Sequence, residues 1–228
     1  MRSQVSQVQF RLSLILLISA LVASGSSYLV ATADSAEVRA VVALENLTVK
    51  GRAPKTGYDR GLFGSPWSDV DRNGCDTRND ILARDLAVKE FAGPQENCTI
   101  EKGVLIDPYS GERIDFLRGQ VTSLAVQIDH VISLSNAWQT GAFRWSAEKR
   151  RQFANDPLNL LAVKGSLNAQ KGDGDAATWL PPKKSYRCDF VARQIAVKRD
   201  YKLWVTKPEK SAMKRILNRC PNQPLPRG

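Results

Sequence analysis

Apolar and polar positions along the first half of the chain predict one helix and one hairpin. Apolar residues at helical spacing predict a helix over 78–91, and Thr77 with Asp80 would begin it as a capping box. The segment 103–116 alternates apolar and turn residues around 108–111, which predicts two antiparallel strands joined by a tight turn. Both kinds of element therefore lie close together in this part of the chain.

The second half of the chain continues this mixture. A β-branched run over 121–131 and a short apolar run over 158–163 predict strands. Helices are predicted at 146–155, 165–175, 189–202 and 207–220, and the last begins with a capping box of Thr206 and Glu209. Since strands and helices do not alternate as they do in a doubly wound sheet, we predict a single α+β domain.

The first 33 residues have a different pattern. Arg2 and Arg11 precede the apolar run over 12–22, and small residues close the segment at Ala33 in an A-x-A arrangement. This layout predicts a secretory signal peptide over 1–33, and the alternative is an uncleaved membrane anchor. We expect a secreted, extracellular protein without stable membrane association after cleavage, or a membrane-anchored one if the signal is kept.

Residues 34–57 follow this segment and carry less pattern. A helix is predicted over 36–49, and the stretch after it is rich in Gly and Pro. We interpret 34–57 as an N-terminal arm or linker that leads into a domain over 58–228.

The cysteines predict disulfide bonds. The chain has four, Cys75, Cys98, Cys188 and Cys220, without the C-x-x-C spacing of a zinc site. An even number in a secreted chain indicates two disulfides, with three connectivities open. We favour Cys75 with Cys98 and Cys188 with Cys220, because each pair encloses at least one predicted helix.

Composition is ordinary for a folded protein, with 43% hydrophobic and 25% charged residues, but the net charge is +10. Loss of Arg2 and Arg11 with the signal peptide lowers this charge to +8. Such a basic protein is attracted to polyanions, namely nucleic acid, anionic cell-wall polymers or a membrane surface. Charge alone does not choose among them.

His130 is the only histidine in the chain and follows Asp129 at the predicted end of a strand. Further along, Asn168, Asp173 and Asp175 supply more oxygen ligands. Such ligands suit a hard cation such as Mg²⁺, and a single histidine disfavours zinc. One imidazole base beside one hard cation predicts a site that hydrolyses phosphodiester bonds.

The order Asp129-His130, then Asn159 in "LNLL", then Asn168 in "NAQKGD", resembles the HNH, or ββα-metal, endonucleases. More narrowly, the stretch from about 58 to 220 is similar to small secreted bacterial HNH endonuclease-like proteins related to the nuclease domain of the GmrSD restriction enzymes. The resemblance implies a ββα-metal core with additional helices.

The resemblance also implies a role for each matching residue. His130 would be the general base for the attacking water, and Asp129 and Asn168 would hold one divalent cation, Mg²⁺ or alternatively Mn²⁺. Asn159 would hold the loop that orients the imidazole, and Lys171 would contact a substrate phosphate.

Two further expectations concern the segment around the start of the helix predicted over 78–91. Arg78 would reach a phosphate if the disulfide folds its loop over the site. Asp69, Asp71 and Asn73 have the spacing of an EF-hand-like calcium loop, and a tight polar turn leading into the helix is the alternative.

We therefore predict a secreted, metal-dependent endonuclease that cleaves DNA with low sequence specificity, with RNA as the alternative substrate. One rival is a non-catalytic extracellular nucleic-acid-binding protein derived from a nuclease, which would be indifferent to His130. A second rival is a secreted hydrolase of cell-wall polymers, which would stay active without His130. The sequence does not identify an immunity partner.

Overall fold

A computed structural model describes residues 38–93 and 98–227. Within these residues the strands form two antiparallel sheets. The predicted signal peptide over 1–33 lies outside the described residues. The strands are β1 (Ala87–Phe91), β2 (Ile100–Ile106), β3 (Arg113–Leu117), β4 (Val126–His130) and β5 (Leu160–Lys164). The first three form one sheet in chain order, and β4 pairs with β5 in the other. The predicted hairpin is confirmed as β2 and β3.

Helices account for most of the remaining structure. They are α1 (Ala40–Glu45), α2 (Thr77–Asp85), α3 (Leu134–Gln139), α4 (Ala147–Ala154), α5 (Gly165–Lys171), α6 (Arg187–Tyr201) and α7 (Lys207–Leu217). The described residues therefore form a single mixed α+β domain, as the sequence predicts.

The predicted capping box at the start of α7 is confirmed. The Thr206 hydroxyl accepts the backbone N–H of Glu209 at 3.2 Å, and the Glu209 carboxylate accepts the backbone N–H of Thr206 at 3.2 Å. Pro208 lies in the first turn, where its missing N–H costs no helical hydrogen bond. α5 is shorter than predicted because Gly172, with a φ of 53°, ends it.

The helix predicted over 78–91 is wrong in its second half. α2 stops before the end of this segment, and β1 takes the rest by pairing with β2. Thr77 and Asp80 do not form the expected capping box, since the Asp76 carboxylate is the N-cap and accepts the backbone N–H of Asn79 at 2.8 Å. Backbone pairing with a neighbouring strand thus outweighs the apolar spacing in this segment.

β4, β5 and α5 form a unit of two antiparallel strands and a helix, and α3 and α4 lie between the two strands in the chain. The strand predicted over 121–131 is shorter than expected, because a 3₁₀ turn at Thr122–Leu124 precedes β4. α5 begins directly after β5, at Gly165. Any side chain there would collide with the carbonyl oxygen of Leu124, so the close approach of the helix to the 3₁₀ turn requires glycine.

The two faces of the β4–β5 pair contact different hydrophobic clusters. Asp129 lies opposite Leu161, and His130 lies opposite Leu160. Leu161 belongs to the main cluster, which includes residues of α1, α3, α6 and α7. Leu160 belongs to a second cluster with residues of α2, β2 and β3. Because side chains alternate along a strand, Asp129 and His130 point to opposite faces of the β4–β5 pair.

The described part of the predicted arm is not a linker. Ala40, Ala43 and Leu44 of α1 are buried in the main cluster, and α1 packs against α6 and α7. Beyond the helix, Val49 forms a bridge with Val205. These residues belong to the domain itself because α1 presents an apolar face that the two C-terminal helices cover.

Two disulfides join distant parts of the domain. Cys75 pairs with Cys98, and Cys188 pairs with Cys220, which confirms the favoured connectivity. Within the part of the chain that the structure describes, no helix combines the length and the apolar character needed to span a membrane.

Candidate active site

The His130 ring is held by a backbone carbonyl. The imidazole lies at the end of β4 with only 8% of the residue exposed, and its Nε2 is 2.8 Å from the carbonyl oxygen of Ala154. A carbonyl oxygen can only accept, so Nε2 carries the hydrogen and Nδ1 is the unprotonated nitrogen. Among the described residues Nδ1 has no hydrogen-bond partner. The ring therefore keeps one acceptor available.

This ring lines a pocket of about 180 Å³. The indole of Trp67 stacks on the imidazole, with the ring centroids 6.1 Å apart and the planes at 15°. Asn155 lines the same pocket, and its buried Oδ1 has no hydrogen-bond partner in the described structure. Other lining residues are Arg60, Phe63, Pro66 and Leu134. The pocket thus offers polar acceptors in mainly apolar surroundings.

Burial keeps the imidazole neutral. Desolvation lowers the pKa of His130 to about 3, against the hydrogen bond to Ala154, which raises it. The positive charges of Arg60 and Lys171 lower the pKa further. The side chain is therefore uncharged throughout the physiological pH range.

Asn159 bonds to the chain segment that follows His130. It is fully buried at the start of β5, where its Oδ1 accepts the backbone N–H of Ile132 at 2.8 Å and its Nδ2 donates to the carbonyl of Ile132 at 3.2 Å. The backbone N–H of Val131 also donates to the carbonyl of Asn159, at 2.8 Å. Asn159 thus fixes the segment that follows His130, while Ala154 orients the ring itself.

Asp129 lies on the opposite face and is closed off from solvent. Lys171 Nζ donates to Asp129 Oδ1 at 2.8 Å and to the carbonyl of His130 at 3.0 Å. The Tyr109 hydroxyl donates to Asp129 Oδ2 at 2.5 Å. The Lys171 side chain is 0% exposed and that of Asp129 is 3% exposed. Burial raises the pKa of Asp129, and the neighbouring ammonium opposes that rise.

The expectation that Lys171 contacts a phosphate is therefore contradicted by this arrangement. Helical spacing does bring Lys171 to the same side of α5 as Asn168, but that side turns towards the protein interior at Lys171. A buried carboxylate needs a partner, and Lys171 supplies it.

The same ion pair decides whether the expected ligands fit a divalent cation. Both Asp129 oxygens accept hydrogen bonds, and an ammonium lies where a cation would have to approach the carboxylate. Asn168 is half-buried and lines a separate cleft of about 420 Å³ with Arg60, Ser135 and Asp173. No group of three or more His, Cys, Asp or Glu side chains suited to a metal occurs within residues 38–93 and 98–227. In this arrangement Asp129 and Asn168 do not fit a shared ion.

Arg78 lies away from the His130 pocket. Its guanidinium donates to the carbonyl of Val126 at 3.3 Å, at the opposite end of β4. Val126 and His130 are four residue steps apart along this extended strand, a distance of roughly 13 Å. The disulfide therefore does not fold Arg78 over the site, and the expected phosphate contact is contradicted.

The loop that resembles a calcium site is a polar turn. The Asp69 carboxylate accepts the backbone N–H groups of Asn73 at 3.2 Å and Gly74 at 3.0 Å. The Asn73 side chain in turn donates to Asp71 at 3.1 Å and to Asp80 at 3.1 Å. The carboxylates of Asp69, Asp71 and Asp80 thus accept hydrogen bonds from Asn73. This arrangement agrees with the alternative of a tight polar turn that leads into the helix.

Sequence reasoning missed three features of this pocket. Arg60 and Trp67 lie in a Gly- and Pro-rich stretch just after the predicted arm over 34–57, and no helix or strand pattern marks either residue. The carbonyl of Ala154 has no signature in the sequence at all, because every residue carries one. A single aromatic or basic residue in a loop becomes informative only when the fold brings it to the histidine.

Comparison with known proteins places the chain in a family. Residues 76–216 match the model of the C-terminal domain of the GmrSD restriction endonucleases, so the chain belongs to this family. A relative from Arthroderma benhamiae, named an uncharacterized secreted protein, is 38% identical over 179 residues, which cover 78% of this chain and 82% of the relative. Arg60 and Trp67 precede the part of the chain that the family model matches.

Proposed function

We propose that this protein is a secreted endonuclease that hydrolyses phosphodiester bonds of DNA with low sequence specificity, with RNA as the alternative substrate. Membership of a restriction-endonuclease family supports a nuclease origin. The unit of β4, β5 and α5, which we interpret as a ββα core of the HNH type, carries the site residues in the expected order.

One observation carries the proposal. The only histidine of the chain has its Nε2–H bound to the carbonyl of Ala154, and its Nδ1 is left as an acceptor on a ring that lines a pocket. Nδ1 is not among the buried side-chain atoms that lack a partner in the described structure, so this nitrogen is open to the pocket, where water can reach it. The arrangement suits a general base whose tautomer is fixed by a backbone group.

The proposed reaction uses this nitrogen. Nδ1 of His130 takes a proton from a water molecule, and the oxygen of that water forms a bond to phosphorus. The bond from phosphorus to the leaving sugar oxygen breaks, and this oxygen takes up a proton from solvent. Asn155, whose Oδ1 is buried without a partner beside the ring, suits an acceptor that orients the water.

A role for Mg²⁺ or Mn²⁺ stays a prediction from the family resemblance. When bound, such an ion would supply charge stabilisation on the phosphate. Because Asp129 is paired with Lys171 and Tyr109, we route no step through an ion at that carboxylate.

Secretion is proposed on three grounds. The first 33 residues have the layout of a signal peptide, the described domain contains two disulfides, and the relative from Arthroderma benhamiae carries "secreted" in its name. We propose that the mature protein has no stable association with membranes.

The test is cleavage of a supercoiled plasmid by the purified mature protein at low salt. Reactions contain Mg²⁺, Mn²⁺ or EDTA, and compare the natural protein with His130→Ala. Arg215→Gln is the control, because Arg215 is an exposed arginine of α7 that makes no side-chain hydrogen bond in the described structure. Nicking that disappears only in His130→Ala supports the proposal.

Two other results would reject it. Plasmid binding without nicking under any of the three conditions would favour the non-catalytic nucleic-acid-binding protein. Nicking that survives His130→Ala would remove the histidine from the reaction. The EDTA reaction separately tests the predicted need for a metal.

A further inference from the structure

Arg60 lies on a rigid turn at the edge of the His130 pocket. It begins a 3₁₀ turn that ends at Phe63, and the Asp59 carboxylate caps this turn by accepting the backbone N–H of Gly61. Phe63 is 1% exposed and belongs to the main hydrophobic cluster. The guanidinium of Arg150 donates to the carbonyl of Leu62 at 2.9 Å. The backbone that carries Arg60 is therefore fixed on both sides.

The side chain of Arg60 connects two depressions of the surface. It lines the His130 pocket and also the neighbouring cleft that contains Asn168. Leu134 is the other residue common to both linings. A phosphate group bound where the two depressions meet would therefore lie next to Arg60.

This guanidinium is available for binding. Arg60 is exposed and makes no side-chain hydrogen bond or ion pair within the described parts of the chain. Two nearby cations differ in this respect: Lys171 is buried against Asp129 at 2.8 Å, and Lys55 pairs with Asp173 at 3.3 Å. Arg60 is thus the cation beside the histidine that has no internal acceptor among these residues.

The chemistry of the group indicates its ligand. A guanidinium presents parallel N–H donors that match two oxygens of a phosphate, and its charge does not depend on pH in the physiological range. The charge of Arg60 already acts on the imidazole, since together with the dominant effect of burial it lowers the pKa of His130. A bound phosphodiester would therefore lie within the influence of both side chains.

We propose that Arg60 is a further catalytic residue, which binds the non-bridging oxygens of the scissile phosphate next to His130. This inference rests on the proposed nuclease function. As water attacks phosphorus and its proton passes to Nδ1, negative charge grows on these oxygens, and the guanidinium stabilises it. Arg60 would supply at the reaction centre the positive charge that Lys171 directs into the protein interior.

The first test compares Arg60→Gln, Arg60→Lys and the control Arg215→Gln in plasmid cleavage. Loss of one preorganised charge donor typically lowers the rate roughly 100- to 1,000-fold, and we expect such a decrease in kcat/KM for Arg60→Gln. Arg60→Lys should recover part of it, because a lysine keeps the charge without the paired donors. Arg60→Gln activity within twofold of the natural protein would overturn the proposal.

A second test does not depend on cleavage. The ring signals of the single histidine are followed by NMR while diethyl phosphate, a small phosphodiester, is added to the natural protein. We expect a saturable shift that is retained in Arg215→Gln and lost in Arg60→Gln. An equal shift in Arg60→Gln, or no shift in the natural protein, would contradict phosphate binding by Arg60. A shift without plasmid cleavage would instead reject the nuclease function and keep the binding site.

Discussion

Asp129 and His130 are consecutive residues on β4 with opposite surroundings. The Asp129 carboxylate is enclosed by Lys171 and Tyr109 and is only 3% exposed. The His130 ring is also buried, but it lines a pocket and keeps Nδ1 without a partner in the described structure. Strand alternation sends the first side chain into the main core and the second towards the pocket.

The difference indicates that two consecutive residues of a short motif can have separate roles. A resemblance in sequence suggests that Asp129 and His130 serve one reaction centre, whereas the fold assigns Asp129 an internal partner. We infer that Asp129 and Lys171 stabilise the unit of β4, β5 and α5, and that His130 performs the chemistry. Substitutions on the two faces should therefore have separate effects on stability and on cleavage.

The largest expected effect is on the His130 face. His130→Gln should lower plasmid cleavage by about 100- to 10,000-fold, the usual contribution of a general base. Thermal unfolding should change little by comparison, since the hydrogen bond to Ala154 and the stacking contact with Trp67 are the interactions that the substitution alters. Cleavage rates and melting curves of the same preparation check both halves of this prediction. An unfolded variant would show instead that the ring is needed for structure.

The Asp129 face should respond in the opposite way. Lys171→Met leaves the Asp129 carboxylate buried without its cation, and such losses cost about 3–5 kcal/mol in the free energy of unfolding. Urea denaturation measures this change. The double variant Lys171→Met with Asp129→Asn removes both charges and should recover much of the loss. A Lys171→Met variant as stable as the natural protein would mean that the ion pair is not structural.

Asn159 should matter less for stability than Lys171. Asn159→Ala removes two side-chain bonds to the buried backbone of Ile132, which should lower the free energy of unfolding by about 1–3 kcal/mol. Asn46→Ala is a matched control, because Asn46 also donates to a backbone carbonyl but is exposed, and it should change stability by less than about 0.5 kcal/mol. Equal losses in both variants would contradict the role given to Asn159.

The smallest expected effect comes from the indole that covers the histidine. Trp67→Ala should cost about 1 kcal/mol of stability through the lost stacking contact. Burial is the main reason for the low pKa of His130, so uncovering the ring should raise that pKa from about 3 towards its ordinary value. An NMR titration of the single histidine measures the shift. An unchanged pKa would show that Trp67 does not control access of water to the ring.

Local patterns in the sequence predicted several elements correctly. The capping box of Thr206 and Glu209 and the hairpin of β2 and β3 depend on residues close together in the chain, so their signals are local. The helix over 78–91 failed because its second half pairs with β2, and the apolar spacing within the segment does not show that pairing. Pairing competes with helical spacing in a way that a single segment does not reveal.

The candidate site shows the same limit. Asn159 makes two bonds to the backbone of Ile132, and the role that its place in the motif predicts stays a prediction. Asp129 and Lys171 are 42 residues apart, and no pattern in the sequence predicts that they form a buried ion pair. Arg60 and Trp67 follow the predicted arm over 34–57, and no role was predicted for either residue. Chain topology, which brings these residues together, decides their roles.

The most direct test of the central claim is the protonation pattern of the His130 ring. Because the chain has one histidine, a long-range ¹H–¹⁵N NMR spectrum of the mature protein contains a single set of imidazole signals. At pH 7 we expect the neutral Nε2–H tautomer, with Nδ1 unprotonated and able to accept a proton from water. An Nδ1–H tautomer or a charged imidazolium would contradict the assignment of His130 as the general base.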